Sequence, residues 1–236
     1  MQKQKPVFTS LADELRRDIS LGIIKQGVKL NIEGLKRDYS VSHPSVREAL
    51  SLLVGEGYVS FEESKGFRVL SPSQDELQDI IRVRAELEAM ALAWAVQRTT
   101  LDWRSQVIAA HYALSEVERE MPVNPLKAAL EWDERNRQFH MTISRNCGSP
   151  KLIALIETQY DQSRRYRMMA HAEGRSENSR SRWVEQSAAE HNALKDAVLV
   201  SDIDAGKTIL KQHITKPTLH AIEGAGLHSE ELKRTS

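Results

Sequence analysis

In the stretch NRQFHMTI, His140 shares a helical face with Leu126, Leu130 and Ile143, where core side chains belong. An imidazole in that place can be a hydrogen-bonded core residue, a general base or a metal ligand. His191, on a face with Leu194 and Val198, and His213, with Ile209 and Leu210, also turn inward, each from a separate helix. Asn136 precedes His140 by one turn, about 6 Å along the axis, so the two can reach one ion. Asp133 lies two turns away, about 10.5 Å, too far on a straight helix for the same task. Arg84 falls one turn after Ile80 and one turn before Leu87 and Glu88, and so faces inward as well. A buried guanidinium needs an anion, either Glu88 at i+4 or the carboxylate of a bound metabolite.

The elements that must position these residues belong to a chain of 236 residues, long enough for two ordinary domains with real cores. Apolar residues at 40% and charged residues at 28% are ordinary for a soluble globular protein. AMALAWAV, the longest nearly apolar run, is too short to span a bilayer, and no signal-peptide pattern opens the chain. Cys147 is the only cysteine, which excludes an intramolecular disulfide and fits a reducing compartment, so a cytoplasmic location is expected. The net charge is zero: 11 basic against 9 acidic residues up to Pro72 give +2, and 22 against 24 beyond it give −2. A case for DNA must therefore rest on where charges sit and not on their sum.

The front of the chain reads as three helices and a hairpin. Ser10 with Asp13 is a cap-like S-x-x-D ahead of Leu11, Leu15 and Ile19, and Gly22 suits a helix C-terminus. Asn31 can cap a short second helix holding Leu35. Ser42 can cap a third, with Pro44 in its first turn and Val46, Leu50 and Leu53 as its buried stripe. YVSFEESKGFRVL then alternates, Val59 and Phe61 against Phe67 and Val69, with ESKG as the tip. This is the order of a winged helix-turn-helix domain, over residues 1–71.

Residues 72–236 open with a linker, SPSQDE, that ends in a capping box of Ser73 with Glu76. Six helices are expected to begin near Ser73, Leu101, Asn124-Pro125, Ser149-Pro150, Ser179 and Asp202, with no strand among them. EGRSENSRSR reads as an exposed loop. The fold class is mainly α: an N-terminal α+β winged domain followed by an all-α bundle of six or seven helices.

The stretch YSVSHPSVREALSLLVGEGYVSFEESKGFRVL resembles the DNA-binding signature of the GntR family of bacterial transcription regulators. The resemblance runs through Val41-Ser42, Val46 to Leu50, Leu53, Glu56-Gly57 and Lys65 to Phe67. It implies that the third helix enters the major groove and the hairpin tip the neighbouring minor groove. Ser42, His43, Pro44 and Arg47 then lie at the helix end offered to base edges, and Lys65-Gly66 combines a charge with a slim backbone. Two positions depart from the family. His43 stands where Arg is common, and Glu33 where some members carry an Arg that touches DNA.

The rear domain resembles the all-helical effector domain of the FadR branch of that family, through RAELE (Arg84 to Glu88), NRQFH, EHNAL around His191, and His213. The resemblance implies a divalent metal held by His140, His191, His213 and the residue at position 136, which is commonly Asp and here is Asn. Three imidazoles and one neutral oxygen favour a divalent transition metal, Zn²⁺ or Ni²⁺ first, over Mg²⁺ or Ca²⁺. A metal-free polar pocket is the competing reading. RRYR (Arg164 to Arg167) with CGS (Cys147 to Ser149) looks like the branch that includes glutarate-responsive repressors; Arg164 and Arg167 can equally be surface charges.

The expected function is a homodimeric, ligand-responsive transcription factor. It would bind a palindromic double-stranded DNA operator and repress organic-acid catabolism, with Arg84 and the metal holding a small carboxylate effector. No membrane partner is expected. The alternative from another class is a metal-dependent hydrolase, since three histidines and an open coordination position are also catalytic equipment. Against it stand the absence of H-E-x-x-H or a nucleophile motif, and a front domain that an enzyme would not need.

Overall fold

A computed structural model describes residues 5–20, 22–121, 125–172 and 177–224. Its contacts divide the chain into two units, Met1–Pro72 and Ser73–Ser236.

The first unit comprises α1 (Val7–Ser20), α2 (Ile32–Asp38), α3 (His43–Gly55) and an antiparallel hairpin of β1 (Val59–Glu62) and β2 (Gly66–Val69). Leu11, Leu15 and Ile19 of α1 pack with Val46, Leu50 and Leu53 of α3, as their 3.6-residue spacing dictates. Asn31 caps α2, accepting from Glu33 N and Gly34 N at 3.0 and 3.2 Å, and Ser42 caps α3 through Ser45 N. Arg16 grips Glu56 through Nε and one terminal nitrogen at 2.8 and 2.7 Å, fastening α1 to the end of α3.

Two local expectations are corrected. Ser10 caps nothing, because α1 starts at Val7 with Pro6 O accepting from Thr9 N and Ser10 N, and Asp13 is engaged by Lys5 and Arg16. Phe61 is half exposed although it alternates with buried Val59. It lies toward the hairpin's outer end, where its ring packs against that of its cross-strand partner Phe67, with centroids 4.8 Å apart.

The second unit is built from α4 (Gln74–Gln97), α5 (Leu101–Glu120), α6 (Pro125–Arg145), α7 (Pro150–Ala172), α8 (Glu177–Leu199) and α9 (Ile203–Gly224). Within it α4 packs on α9 and α7, α5 on α6 and α8, and α8 on α9, around a core that includes Leu92, Val107, Leu114, Phe139, Ile156, Leu194 and Leu210. Gly206 lets α9 approach α4: a Cβ there would stand 3.2 Å from Leu92 Cδ2. The six helix starts match those read from sequence, although Asn124 lies outside the described residues and α8 begins at Glu177. EGRSENSRSR is thus no simple loop; its residues 173–176 lie outside the described residues, and 177–182 form the first turns of α8.

The capping box at Ser73 is only half made. Ser73 Oγ accepts from Glu76 N at 3.4 Å, but the Glu76 carboxylate turns to α7, taking the Tyr166 hydroxyl at 2.6 Å and pairing with Arg165. Tyr166 completes the tie by accepting from Ser73 N at 3.2 Å. Among the described residues no helix is long and apolar enough to cross a membrane.

Candidate functional site

In the first unit the N-terminal end of α3 leaves Ser42, His43, Pro44 and Arg47 exposed, while Val46 and Leu50 of the same helix are buried. Gly66 sits at φ +79°, the left-handed backbone that the hairpin tip requires and that glycine adopts without strain. Lys65 beside it reaches back to Glu62 at 2.6 Å yet stays largely exposed. Arg47, Lys65 and Gly66 face one concavity of about 1070 Å³, which Lys29, Asn31 and Glu33 also line. Ser42, His43 and Pro44 stand outside its lining. Lys29 was missed by sequence reasoning. It joins the wing through a backbone bridge to Arg68, and its Cε lies 3.9 Å from where a Cβ on Gly66 would stand. No local pattern marked it, because only the fold carries the turn before α2 to the hairpin.

In the second unit His140, His191 and His213, from α6, α8 and α9, converge. Each offers a ring nitrogen within 4.8 Å of the others', and ring centroids are 4.3 Å apart for His191–His213 and 5.3 Å for His140–His213. All three are buried. Their Nδ1 atoms are taken by carboxylates: His140 by Glu88 at 2.7 Å, His191 by Glu118 at 2.7 Å and His213 by Glu190 at 2.9 Å. An Nδ1–H pointed at a carboxylate leaves the Nε2 lone pair bare, and Nε2 of both His140 and His191 is buried with no hydrogen-bond partner. The same holds for Asn136 Oδ1, whose amide nitrogen donates to the Tyr160 hydroxyl at 2.6 Å. Orphaned acceptors of this kind call for a cation or donor; three imidazole nitrogens within 4.8 Å of one another could hold a borderline metal.

Burial lowers the His140 and His213 pKa to about 4 and that of His191 well below its ordinary value, so all three rings are neutral at pH 7. Burial alone would raise Glu88, but Arg84 and His140 hold it at about 2. Glu118, buried with weaker compensation, is pushed up to about 7.

Arg84 is paired: its Nε donates to Glu88 at 2.5 Å, and its guanidinium lies over the Tyr160 ring, 4.3 Å from the centroid. Asp133, as expected, is not drawn into the histidine cluster. It is buried between Arg164 and Arg167, whose Nε atoms stand 2.7 and 2.8 Å from its two oxygens. Arg167 also lies over Tyr160, at 4.0 Å. The reading of Arg164 and Arg167 as plain surface charges is therefore replaced by a buried carboxylate with two partners. Glu118, Glu190 and Tyr160, like Lys29, were missed by sequence reasoning. No signal in the sequence ties any of them to its partner, since each belongs to a different helix from the residue it holds.

Residues 79–216 match the FCD domain family, and residues 9–69 match the family of bacterial regulatory proteins, gntR family. The chain is 34% identical over 203 residues to the HTH-type transcriptional repressor GlaR of Escherichia coli, covering 86% of this chain and 90% of that protein. It is 33% identical over 200 residues to the uncharacterized HTH-type transcriptional regulator BphR of Paraburkholderia xenovorans, covering 85% of this chain and 79% of that one. The fold is that of Escherichia coli McbR/YncC, with a TM-score of 0.73 at 20% identity, covering 93% of this chain and 99% of that structure. A putative GntR transcriptional regulator from Rhodococcus sp. RHA1 gives 0.67 at 18% identity, with 92% and 97% covered.

Proposed function

The chain belongs to the GntR family of bacterial regulators, with an FCD domain behind its winged helix-turn-helix, and on that footing we propose a homodimeric, metal-dependent repressor of organic-acid catabolism. It is a DNA-binding transcriptional regulator; the matched families and relatives are regulators, which sets the hydrolase alternative aside. Arg47 reads the major groove of a palindromic operator and Lys65-Gly66 follows the adjacent minor groove, in the cytoplasm where the DNA is accessible. Repression is supported by GlaR, itself a transcriptional repressor. Val83, Met90 and Trp94, exposed on one stripe of α4, support pairing with a second copy through that helix.

The observation that carries the sensory reading is the convergence of buried His140, His191 and His213, with Nε2 of His140 and His191 unpartnered; Asn136 Oδ1, one turn before His140 on the same helix, is buried and unpartnered as well. These four residues would hold one Zn²⁺ or Ni²⁺, which when bound supplies a positive centre for a carboxylate. Arg84 and Arg167, stacked over Tyr160 beside Asn136, support an anionic effector. The effector must bind the DNA-released state more tightly, since equal affinity for both states shifts nothing.

Metal analysis of protein purified without chelator or nickel resin tests this, with about one divalent ion per chain expected. A thermal-shift screen of small mono- and dicarboxylic acids, glutarate and sugar acids first, then supplies effectors for operator-release assays. Metal-free preparations that show no thermal response to Zn²⁺ would make the cluster a polar pocket.

A further inference from the structure

Resting on the metal site proposed above, we propose that Glu118 is a positioning residue that supplies through His191 the negative charge Asn136 does not. Three neutral imidazoles and a neutral amide leave a divalent ion uncompensated in a buried place, which is costly without a nearby anion. Among the described residues three carboxylates meet the histidines, and they are not equivalent. Glu88 is already matched by Arg84, at 2.5 Å. Glu190 is the most exposed of the three. Glu118 is buried, and among the described residues it makes no ion pair with Lys or Arg.

What Glu118 does contact fixes its aim. Oε1 stands 2.7 Å from His191 Nδ1 and accepts from Trp132 Nε1 at 3.4 Å, while Oε2 is buried with no partner. Trp132 is itself held edge-on by Trp183, with centroids 5.2 Å apart. A buried anion and a buried cation site thus lie on the two nitrogens of one ring, each unfavourable alone and each relieved by the other. The hydrogen bond also makes His191 a stronger donor, as carboxylate partners of metal-bound histidines do.

Chelator-competition titration of Zn²⁺ with the full chain tests the assignment in wild type, Glu118→Gln, Glu118→Asp, Asn136→Asp and the Asn136→Asp/Glu118→Gln double variant. Glu118→Gln keeps a hydrogen-bonding carbonyl and loses only the charge, so affinity should fall about 10- to 100-fold. Glu118→Asp, still charged, should lose less. Asn136→Asp should restore the Glu118→Gln protein toward wild-type affinity and raise it by a larger factor there than in wild type. A purely structural Glu118 would give neither the rescue nor the Asp–Gln difference. Wild-type binding with an unchanged Glu118→Gln affinity, or equal gains from Asn136→Asp in both backgrounds, overturns the proposal. A wild type without Zn²⁺ affinity overturns the metal site itself.

Discussion

Glu88 Oε2 lies 2.7 Å from Nδ1 of His140, and the same carboxylate takes Arg84 on its other oxygen at 2.5 Å. Arg84 therefore has two possible routes to function: direct contact with an effector, or setting the charge and aim of Glu88 and, through it, of His140. The sequence left the Arg84–Glu88 pair and an effector contact open side by side. The structure forms the pair and leaves the guanidinium face over Tyr160.

Arg84→Ala should consequently lower Zn²⁺ affinity, by about 10-fold as expected for loss of an outer-shell partner, besides abolishing release from DNA by effector. Operator binding without effector should persist. Unchanged metal affinity measured by chelator competition would remove the route through Glu88 and leave only direct contact.

At the DNA face, Arg47→Ala should weaken operator binding by about 1–3 kcal/mol per half-site while thermal unfolding stays as in wild type. Lys29→Ala, at the wing, should weaken all sequences alike and reduce the slope of log affinity against log salt by about 1 per half-site. Fluorescence anisotropy on specific and scrambled duplexes separates the two. Wild-type affinity for the operator in the Arg47→Ala protein would sink the docking scheme.

Asp133 carries the acid sensitivity of the α6–α7 contact. Burial alone would raise its pKa, but Arg167 and Arg164 lower it below the ordinary 3.8. Its folded value being depressed, the stability it contributes is full above the unfolded value near 4 and is lost as pH falls through the folded one. Asp133→Asn should cost about 3 kcal/mol at pH 7, the low end for breaking a buried pair, because Arg164 keeps some access to water. Denaturant titrations should show that difference shrinking below pH 4; a penalty independent of pH would assign it to packing.

Tyr166 ties the start of α4 to α7 through Ser73 N and Glu76. Tyr166→Phe should leave that amide without its partner, costing about 1–2 kcal/mol locally. Hydrogen exchange at residues 73–77 should speed up by an order of magnitude or more, with α5 and α8 unaffected. Unchanged exchange there would show that the Ser73 cap holds the helix start without Tyr166.

Much of this protein was written locally. Ser42 with Pro44 starts α3, Val46, Leu50 and Leu53 bury one of its faces, and the remaining exposed face carries Arg47; all of that follows from 3.6-residue periodicity and cap chemistry. Likewise the inward face of His140, His191 and His213 was legible, because each is fixed by its own helix. Position along one helix says nothing about which side chain of another helix it meets. Glu88 and His140 are 52 residues apart, Glu118 and His191 73, Glu190 and His213 23, and their pairing depends on the packing register of α4, α5, α6, α8 and α9. The same packing turned Glu76 from a local cap toward Tyr166 and drew Arg164 and Arg167 onto Asp133. Sequence determined which faces turn inward; only the tertiary structure decided which carboxylate holds which imidazole, because that choice is made by distance across the bundle and by the cost of leaving a buried charge alone.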